Sequence, residues 1–305
     1  LSTVALTING QEVTVPKGTR LLDAATGAGF FIPTFCHDEN SPNYGGCRIC
    51  VVEVKGARNL VASCCAEAMN GMVVETESPA VVEARKTILE LMLANHPVDC
   101  LTCDKAGDCR LQDYAFRYDV KAPALGGERK DYEFDDSNPY INRDMNKCIL
   151  CAKCVRTCQE AEDRGVISLA YRGFRTKVAP ALDASLAESA CVSCSRCVSV
   201  CPVGALTYKS LSGKTRTWEV EKEEVTCTWC EAGCQFDLLR KNGKAVGVVA
   251  KSPGNGRPLC LKGRLGLELK YNDEPMTPML KKGDEYVEVS WAEALGLDEL
   301  VEKLK

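Results

Sequence analysis

Apolar and polar residues alternate from the first few positions of the chain. Val4, Leu6 and Ile8, then Val13 and Val15, occupy every second position, with Asn9-Gly10 between the two runs. A period of two marks half-buried strands, and Asn-Gly favours a two-residue turn, so residues 3–15 predict a β-hairpin. After the Pro16-Lys17-Gly18 turn the pattern predicts a short helix from about Arg20 to Ala28, and Val51, Val52 and Val54 predict a strand. Ser78-Pro79 marks a helix start, serine as N-cap and proline in the first helical position. Val81, Ile88, Leu91 and Met92 then recur at roughly helical spacing, up to Asn95. Further on, Arg240-Lys-Asn-Gly-Lys followed by valines predicts a second hairpin. Leu297, Leu300, Val301 and Leu304 outline one face of a short terminal helix, which either caps this chain's own core or docks a partner. No run of about 18 apolar residues is present, so no membrane span is expected. The elements are short and separate, as in a chain of several small modules.

Composition then changes the picture. The 305 residues carry 38 basic against 42 acidic side chains, a net charge of −4. That is a poor match to the basic footprint of a nucleic-acid binder. The N-terminal residues lack a basic stretch followed by an apolar one, so the expected location is the cytoplasm. There are 20 cysteines and only 2 histidines. In a reducing compartment so many thiols read as metal ligands before they read as disulfides.

Their spacing carries an internal repeat. Cys148, Cys151, Cys154 and Cys158 follow C-x2-C-x2-C-x3-C, as do Cys191, Cys194, Cys197 and Cys201, each pair offset by 43 residues. This is the bacterial ferredoxin spacing, in which the fourth cysteine of each run ligates the other cluster. Three closely spaced thiolates wrap three corners of a cubane, and the fourth corner needs a ligand from elsewhere. Cys148, Cys151, Cys154 and Cys201 are therefore paired on one [4Fe–4S] cluster, and Cys191, Cys194, Cys197 and Cys158 on a second. Cys201 precedes Pro202, whereas Cys158 precedes Gln159. The alternative is a zinc-binding structural scaffold, but zinc takes two pairs of ligands and needs no third cysteine at the same spacing.

Nearer the N-terminus, Cys36, Cys47, Cys50 and Cys64 form C-x10-C-x2-C-x13-C, and Gly45-Gly46 lets the backbone approach a cluster. The module resembles the plant-type ferredoxin-like [2Fe–2S] domain, a β-grasp fold, in the wider spacing it has at the front of larger electron-transfer chains. The resemblance assigns the fourth ligand to Cys64, which leaves the adjacent Cys65 as a small buried hydrophobe.

Asn95-His96-Pro97 closes the predicted helix, and Cys100, Cys103 and Cys109 follow, an H-x3-C-x2-C-x5-C pattern. It resembles the [4Fe–4S] site of the large iron–sulfur subunit of respiratory complex I, with one histidine and three cysteine ligands, which recurs in [FeFe]-hydrogenases and some formate dehydrogenases. Exchanging a thiolate for a neutral imidazole removes negative charge and favours the reduced state. His37, next to Cys36, is expected beside its cluster and not on it.

Cys227, Cys230, Cys234 and Cys260 make a last run, C-x2-C-x3-C-x25-C. Taken alone it also suits zinc. After four other cluster motifs it resembles the N-terminal [4Fe–4S] domain of molybdopterin oxidoreductases, where Lys262 stands at the position of a lysine between cluster and pterin. No glycine-rich dinucleotide fingerprint opens a helix, and no catalytic residue is assigned.

The five motifs together give an α+β, multi-module fold: a β-grasp [2Fe–2S] ferredoxin-like domain at 1–78, a helical segment with the one-histidine, three-cysteine site at 79–120, a bacterial-type 2[4Fe–4S] ferredoxin domain at 138–212, a molybdopterin-oxidoreductase-type [4Fe–4S] domain at 218–275 and a tail or docking helix at 276–305. Their order resembles the complex I iron–sulfur subunit and the front of NAD-linked formate dehydrogenase chains, and as far as Cys201 that of [FeFe]-hydrogenases. The resemblance implies one [2Fe–2S] and four [4Fe–4S] clusters. It also implies a relay between a flavin subunit reacting with NAD(P)(H) and a separate hydrogenase- or formate-dehydrogenase-type catalytic subunit, some such complexes being electron-bifurcating with ferredoxin. The alternative is the front part of a molybdopterin formate dehydrogenase chain. Basic residues within the motifs (Arg48, Arg110, Lys147, Lys153, Arg156, Arg196) either offset anionic clusters or stay solvated.

Overall fold

The structure is a computed structural model that describes residues 2–39, 41–121, 125–250, 260, 263, 277–297 and 302–303. The alternating N-terminal segment forms β1 (Thr3–Ile8) and β2 (Gln11–Pro16), with Ile8 opposite Gln11. Asn9 (φ 49°) and Gly10 (φ 82°) both take positive φ, the backbone a tight hairpin turn needs for its twist to match the strands. β3 (Val51–Val54), β4 (Val61–Ala62) and β5 (Val73–Glu75) complete a five-stranded sheet in the order β2-β1-β5-β3-β4. The central pair, β1 and β5, is parallel, and every other pair is antiparallel. Helix α1 (Leu21–Gly27) buries Leu21, Leu22, Ala24 and Ala25 in one core with Leu6, Ile8, Val52 and Val74 of the sheet.

Helix α2 (Pro79–Asn95) starts where the Ser-Pro pair predicts, and Ser78 Oγ accepts a hydrogen bond from the Val81 N–H at 3.4 Å. Its buried face differs from the pattern. Val81, Arg85 and Leu89 turn inward, while Leu91 is 56% exposed. Arg85 is fully buried because three acceptors meet it: the Val51 carbonyl, the Tyr118 hydroxyl and the Glu77 carboxylate, at 2.9, 2.7 and 2.9 Å. A hydrophobic pattern has no place for an arginine at its centre.

After α3 (Arg110–Arg117) come two small antiparallel pairs. One joins β6 (Ile141–Arg143) to β9 (Leu206–Tyr208), the other β7 (Ile167–Ala170) to β8 (Lys177–Pro180). Between them lie α4 (Lys153–Arg156), which runs into a π-helical turn at Thr157–Ala161, and α5 (Arg196–Val200). The chain then forms a three-stranded sheet of β10 (Glu221–Thr226), β11 (Gln235–Lys241) and β12 (Lys244–Ala250), with the predicted hairpin turn at Asn242-Gly243. A last hairpin, β13 (Met279–Lys282) and β14 (Glu285–Glu288), precedes α6 (Trp291–Leu295). Gly296, at φ 66°, ends α6, and Leu297 follows it outside any helix. Leu300, Val301 and Leu304 of the expected terminal helix lie outside the described residues.

The central core ties the middle modules together. Leu89 of α2, Tyr114 of α3, Ile141, Val155, Val178 and Val203 belong to one buried cluster, which also takes in Phe35, Cys36 and Ile49 of the N-terminal module. Phe236, Leu238 and Val248 form a separate, smaller core. Among the described residues no helix is long and apolar enough to cross a membrane.

Candidate metal centres

The two repeated runs meet crosswise. Cys148, Cys151, Cys154 and Cys201 line one small cavity with Met145, Ile149 and Val203. Cys158, Cys191, Cys194 and Cys197 line another with Val166, Ile167 and Leu186. The geometry follows from a repeated backbone. Leu150 and Ala152 take φ of 54° and 56°, and Ser193 and Ser195, 43 residues on, take 55° and 57°. Left-handed turns of this kind aim successive N–H groups inward and build an anion-binding concavity. The Leu150 N–H donates to Cys148 Sγ, and the Ser193 N–H to Cys191 Sγ, each at 3.4 Å. The backbones of Lys153 and Arg196 likewise hydrogen-bond Cys151 and Cys194. Pro202 stops α5 at Cys201, whereas Gln159 lets the chain continue past Cys158 as the π-helical turn.

These pockets resist empty thiolates. Burial pushes the Cys148 thiol up to about 11 and that of Cys151 to about 12. Cys154 and Cys197 are raised well above the usual thiol range, first by burial and then by the neighbouring thiols. Four ionised sulfurs in an apolar cavity need compensating positive charge, which bound iron supplies as it displaces the protons. Among the described residues no group of three or more His, Cys, Asp or Glu side chains is arranged to hold a single metal ion. All-thiol donors spread over an apolar cavity fit a multi-iron cluster.

In the N-terminal module Cys36, Cys50 and Cys64 are buried and Cys47 is partly so. They share protons. Hydrogen bonds from Cys47 and then Cys64 push the Cys36 thiol down to about 2, with the Gly46 and Cys47 backbones adding to the effect. Cys64 does the same for Cys50, to about 6, while Cys47 and Cys64 are themselves raised, foremost by Cys36. The expectation that Cys65 is a small buried hydrophobe is overturned: Cys65 is exposed, its Sγ 3.6 Å from that of Cys64. The two sulfurs are neighbours in the turn after β4, yet Cys64 is covered and Cys65 is left at the surface. There it packs on Gly45 (φ 66°), where an added Cβ would lie 2.7 Å from its sulfur.

His96 sits at the C-cap of α2, 8% exposed, and its Nδ1 is buried with no hydrogen-bond partner. Burial lowers its pKa, which keeps the ring in the neutral form that ligates metals. His96, Cys100 and Cys109 line one cleft of about 450 Å³ with Leu111 and Phe116. Burial raises the thiols of Cys100 and of Cys109, the latter to about 11. Cys103 lies behind them, its sulfur 2.7 Å from where a Cβ on Gly204 would stand. The orphaned imidazole nitrogen shares its cleft with the thiols of Cys100 and Cys109, a set of donors of the nitrogen and sulfur kind that metals take. His37 lies apart from that set, half-buried, in a cleft with Asp23 and Arg110.

In the last run Cys227 is 7% exposed, and its N–H donates to the Cys234 carbonyl at 2.8 Å. Both pack on the small core of the three-stranded sheet. Cys230 and Cys260 are exposed, Cys260 Sγ accepting from the Gly263 N–H at 3.4 Å. Thus two of the four predicted positions come together here, and Lys262 lies outside the described residues. Of the basic residues within the motifs, Lys153, Arg156 and Arg196 are buried, Lys147 is partly so, and Arg48 and Arg110 are exposed.

Four family models match the chain in order. They are a 2Fe-2S iron-sulfur cluster binding domain (residues 2–79), the NADH-ubiquinone oxidoreductase-G iron-sulfur binding region (85–123), a 4Fe-4S dicluster domain (147–205) and a molybdopterin oxidoreductase Fe4S4 domain (221–272). Among curated relatives, the NADP-reducing hydrogenase subunit HndD of Solidesulfovibrio fructosivorans is 45% identical over 94% of this chain and 50% of its own length. The G 2 component of the NADH-quinone oxidoreductase of Rhizobium meliloti is 35% identical over 95% of this chain and 34% of its own. The alpha subunit of the NADPH-Fe(3+) oxidoreductase of Geobacter sulfurreducens is 33% identical, over 96% and 34%. The chain thus spans a third to a half of the length of these relatives. Among solved structures, a chain of an NAD+-reducing [NiFe]-hydrogenase in the H2-reduced state superposes with a TM-score of 0.65 at 32% identity, covering 70% of this chain and 91% of that one.

Proposed function

The chain belongs to the family of complex I G-like, hydrogenase-associated iron–sulfur subunits, and we propose that it relays single electrons through one [2Fe–2S] and four [4Fe–4S] clusters. The observation that carries this reading is the crosswise gathering of eight thiols into two apolar cavities. The ligands proposed are Cys36, Cys47, Cys50 and Cys64 for the [2Fe–2S] cluster and His96, Cys100, Cys103 and Cys109 for one [4Fe–4S] cluster. Two crossed sets follow, Cys148, Cys151, Cys154 and Cys201, and Cys191, Cys194, Cys197 and Cys158. Cys227, Cys230, Cys234 and Cys260 make the last. When bound, such clusters take up and release one electron each, at potentials set by ligand identity, burial and hydrogen bonds to sulfur.

What the chain itself contributes is placement and tuning. Left-handed turns hold N–H groups on Cys148 and Cys191, and these donors favour a more negative sulfur. The neutral His96 removes one negative charge from its site. The common apolar core excludes water from the crossed sets and keeps the modules at fixed separations. The β-grasp reading of residues 1–78 is supported by the mixed sheet with its parallel central pair and by α1 lying against it.

The names of its relatives support a subunit of a multi-subunit NAD(P)-linked oxidoreductase. Within that frame we propose a cytoplasmic assembly in which one partner is a flavin subunit reacting with NAD(P)(H) and the other a separate hydrogenase- or formate-dehydrogenase-type catalytic subunit, with ferredoxin as a further acceptor in a bifurcating variant. Anaerobic purification tests the cluster content: iron and acid-labile sulfide in equal amounts, with distinct reduced-state EPR signals, are expected, whereas zinc without sulfide overturns the reading. A second reading is favoured by the molybdopterin oxidoreductase Fe4S4 match: a front segment of a molybdopterin formate dehydrogenase, with Lys262 toward the pterin. The mass of the native polypeptide, its molybdenum content and the subunits that co-purify with it separate the two.

A further inference from the structure

Two buried cations of the dicluster module reach across to the N-terminal one. Arg156 and Lys153 flank Cys154 on α4. Arg156 Nη1 donates to the Pro42 carbonyl at 2.7 Å, Nη2 donates to the carbonyl of Cys36, and the guanidinium stands 5.1 Å over the Tyr44 ring. Lys153 Nζ lies 3.3 Å from Asp38 Oδ2, with both side chains more than nine-tenths buried. The loop from Cys36 to Tyr44 is thus held from α4 at four points.

The two cations differ in compensation. Lys153 has Asp38, as Arg196, its counterpart 43 residues on, has Glu162 at 3.7 Å. Arg156 is 92% buried, makes no ion pair among the described residues and leaves its Nε without a hydrogen-bond partner. Carbonyl dipoles and a ring face only partly offset a buried unit charge, which is costly without an anion nearby. Arg156 stands between two of the sets, bonded to the Cys36 carbonyl on one side and two residues along α4 from Cys154 on the other.

From this we infer that Arg156 is a positioning residue, a buried cation that joins the Cys36 site to the Cys154 site and stabilises added negative charge at the first of them. The inference rests on the proposed cluster ligation. A positive charge in low dielectric favours the more reduced, more negative state of the neighbouring site. The hydrogen bond to the Cys36 carbonyl fixes the approach of the two sites.

The test is an EPR-monitored redox titration of the anaerobically purified chain, with iron and sulfide assayed in every sample. R156Q keeps donors for the carbonyls and loses the charge. At a fixed ambient potential its reduced-to-oxidised ratio for the [2Fe–2S] signal falls about tenfold, a downward shift of about 59 mV for one electron. R156K returns most of that shift. D38N, which leaves Lys153 uncompensated at the same junction, moves the ratio the opposite way, and it keeps the test decisive if R156Q folds poorly. Wild-type potentials in R156Q and D38N at full iron and sulfide overturn the inference, as do shifts of the same sign in both. A wild-type chain lacking iron and sulfide overturns the cluster reading itself.

Discussion

Gly204 offers the sharpest test of how the modules depend on each other. It lies in the dicluster module just after Cys201-Pro202, yet an added Cβ would stand 2.7 Å from Cys103 Sγ and 3.4 Å from Lys105 Cβ and Lys147 Cδ. Its backbone is not in the left-handed region, so alanine at this position is opposed by space alone. Heavy atoms settle at about 3.5–4.0 Å, so G204A displaces Cys103 by about 1 Å. Overpacking of this size costs about 1–3 kcal/mol against a total stability of about 5–15 kcal/mol, and the chain still folds. Metal ligation is far less forgiving, since ligand distances hold to about 0.2 Å. G204A should therefore keep its thermal transition within a few degrees while losing about four irons per chain, together with the signal of the His96 site. Iron and sulfide assays with EPR of the reduced protein read the outcome. Full iron content with the His96-site signal unchanged would refute the reasoning.

The buried Arg85 gives a stability prediction. E77A removes its carboxylate partner, the only one among the described residues, and because Glu77 is itself 39% exposed the cost is about 1–3 kcal/mol in denaturant unfolding. Combining it with R85M should be less than additive, and strict additivity would show that the pair is not coupled. Asp135 sets an acid limit. Burial raises its carboxyl, but hydrogen bonds from Ser137, the Leu186 N–H and Arg143 outweigh this and hold it below the usual carboxylate range. A lowered folded-state pKa contributes stability that is present above the unfolded value, near 4, and lost as pH falls through the folded one. D135N should flatten acid unfolding below pH 4, and an unchanged acid limb would count against it. In the last module Phe236 is fully buried, and F236A should cost about 3–5 kcal/mol there. Residues 221–250 should then be open to proteolysis while the dicluster signals persist.

Much of this protein is legible in one dimension because its signals are local. Strand alternation, Asn-Gly turns and the Ser-Pro helix start depend on neighbours in the chain, and each stands where the pattern puts it. The 43-residue offset of the two cysteine runs even implies their crossing, since three thiols from one loop leave a cubane corner for another. Other features had no local trace. Arg85 carries no sequence signal of burial, and for Arg156 the sequence leaves open whether it offsets a cluster or stays solvated; only packing surrounds both with carbonyls from distant segments. Cys65 reads like Cys64, and only the turn after β4 sends one inward and the other to solvent. Leu91 fits a helical pattern as well as Leu89, but the neighbours of α2 decide which face is covered. Sequence by itself determined where the thiols lie and how they group into runs, because residue identity and loop length are properties of the chain. Tertiary structure decided which charges lie buried beside them, because burial belongs to segments far apart in sequence that meet only in the fold.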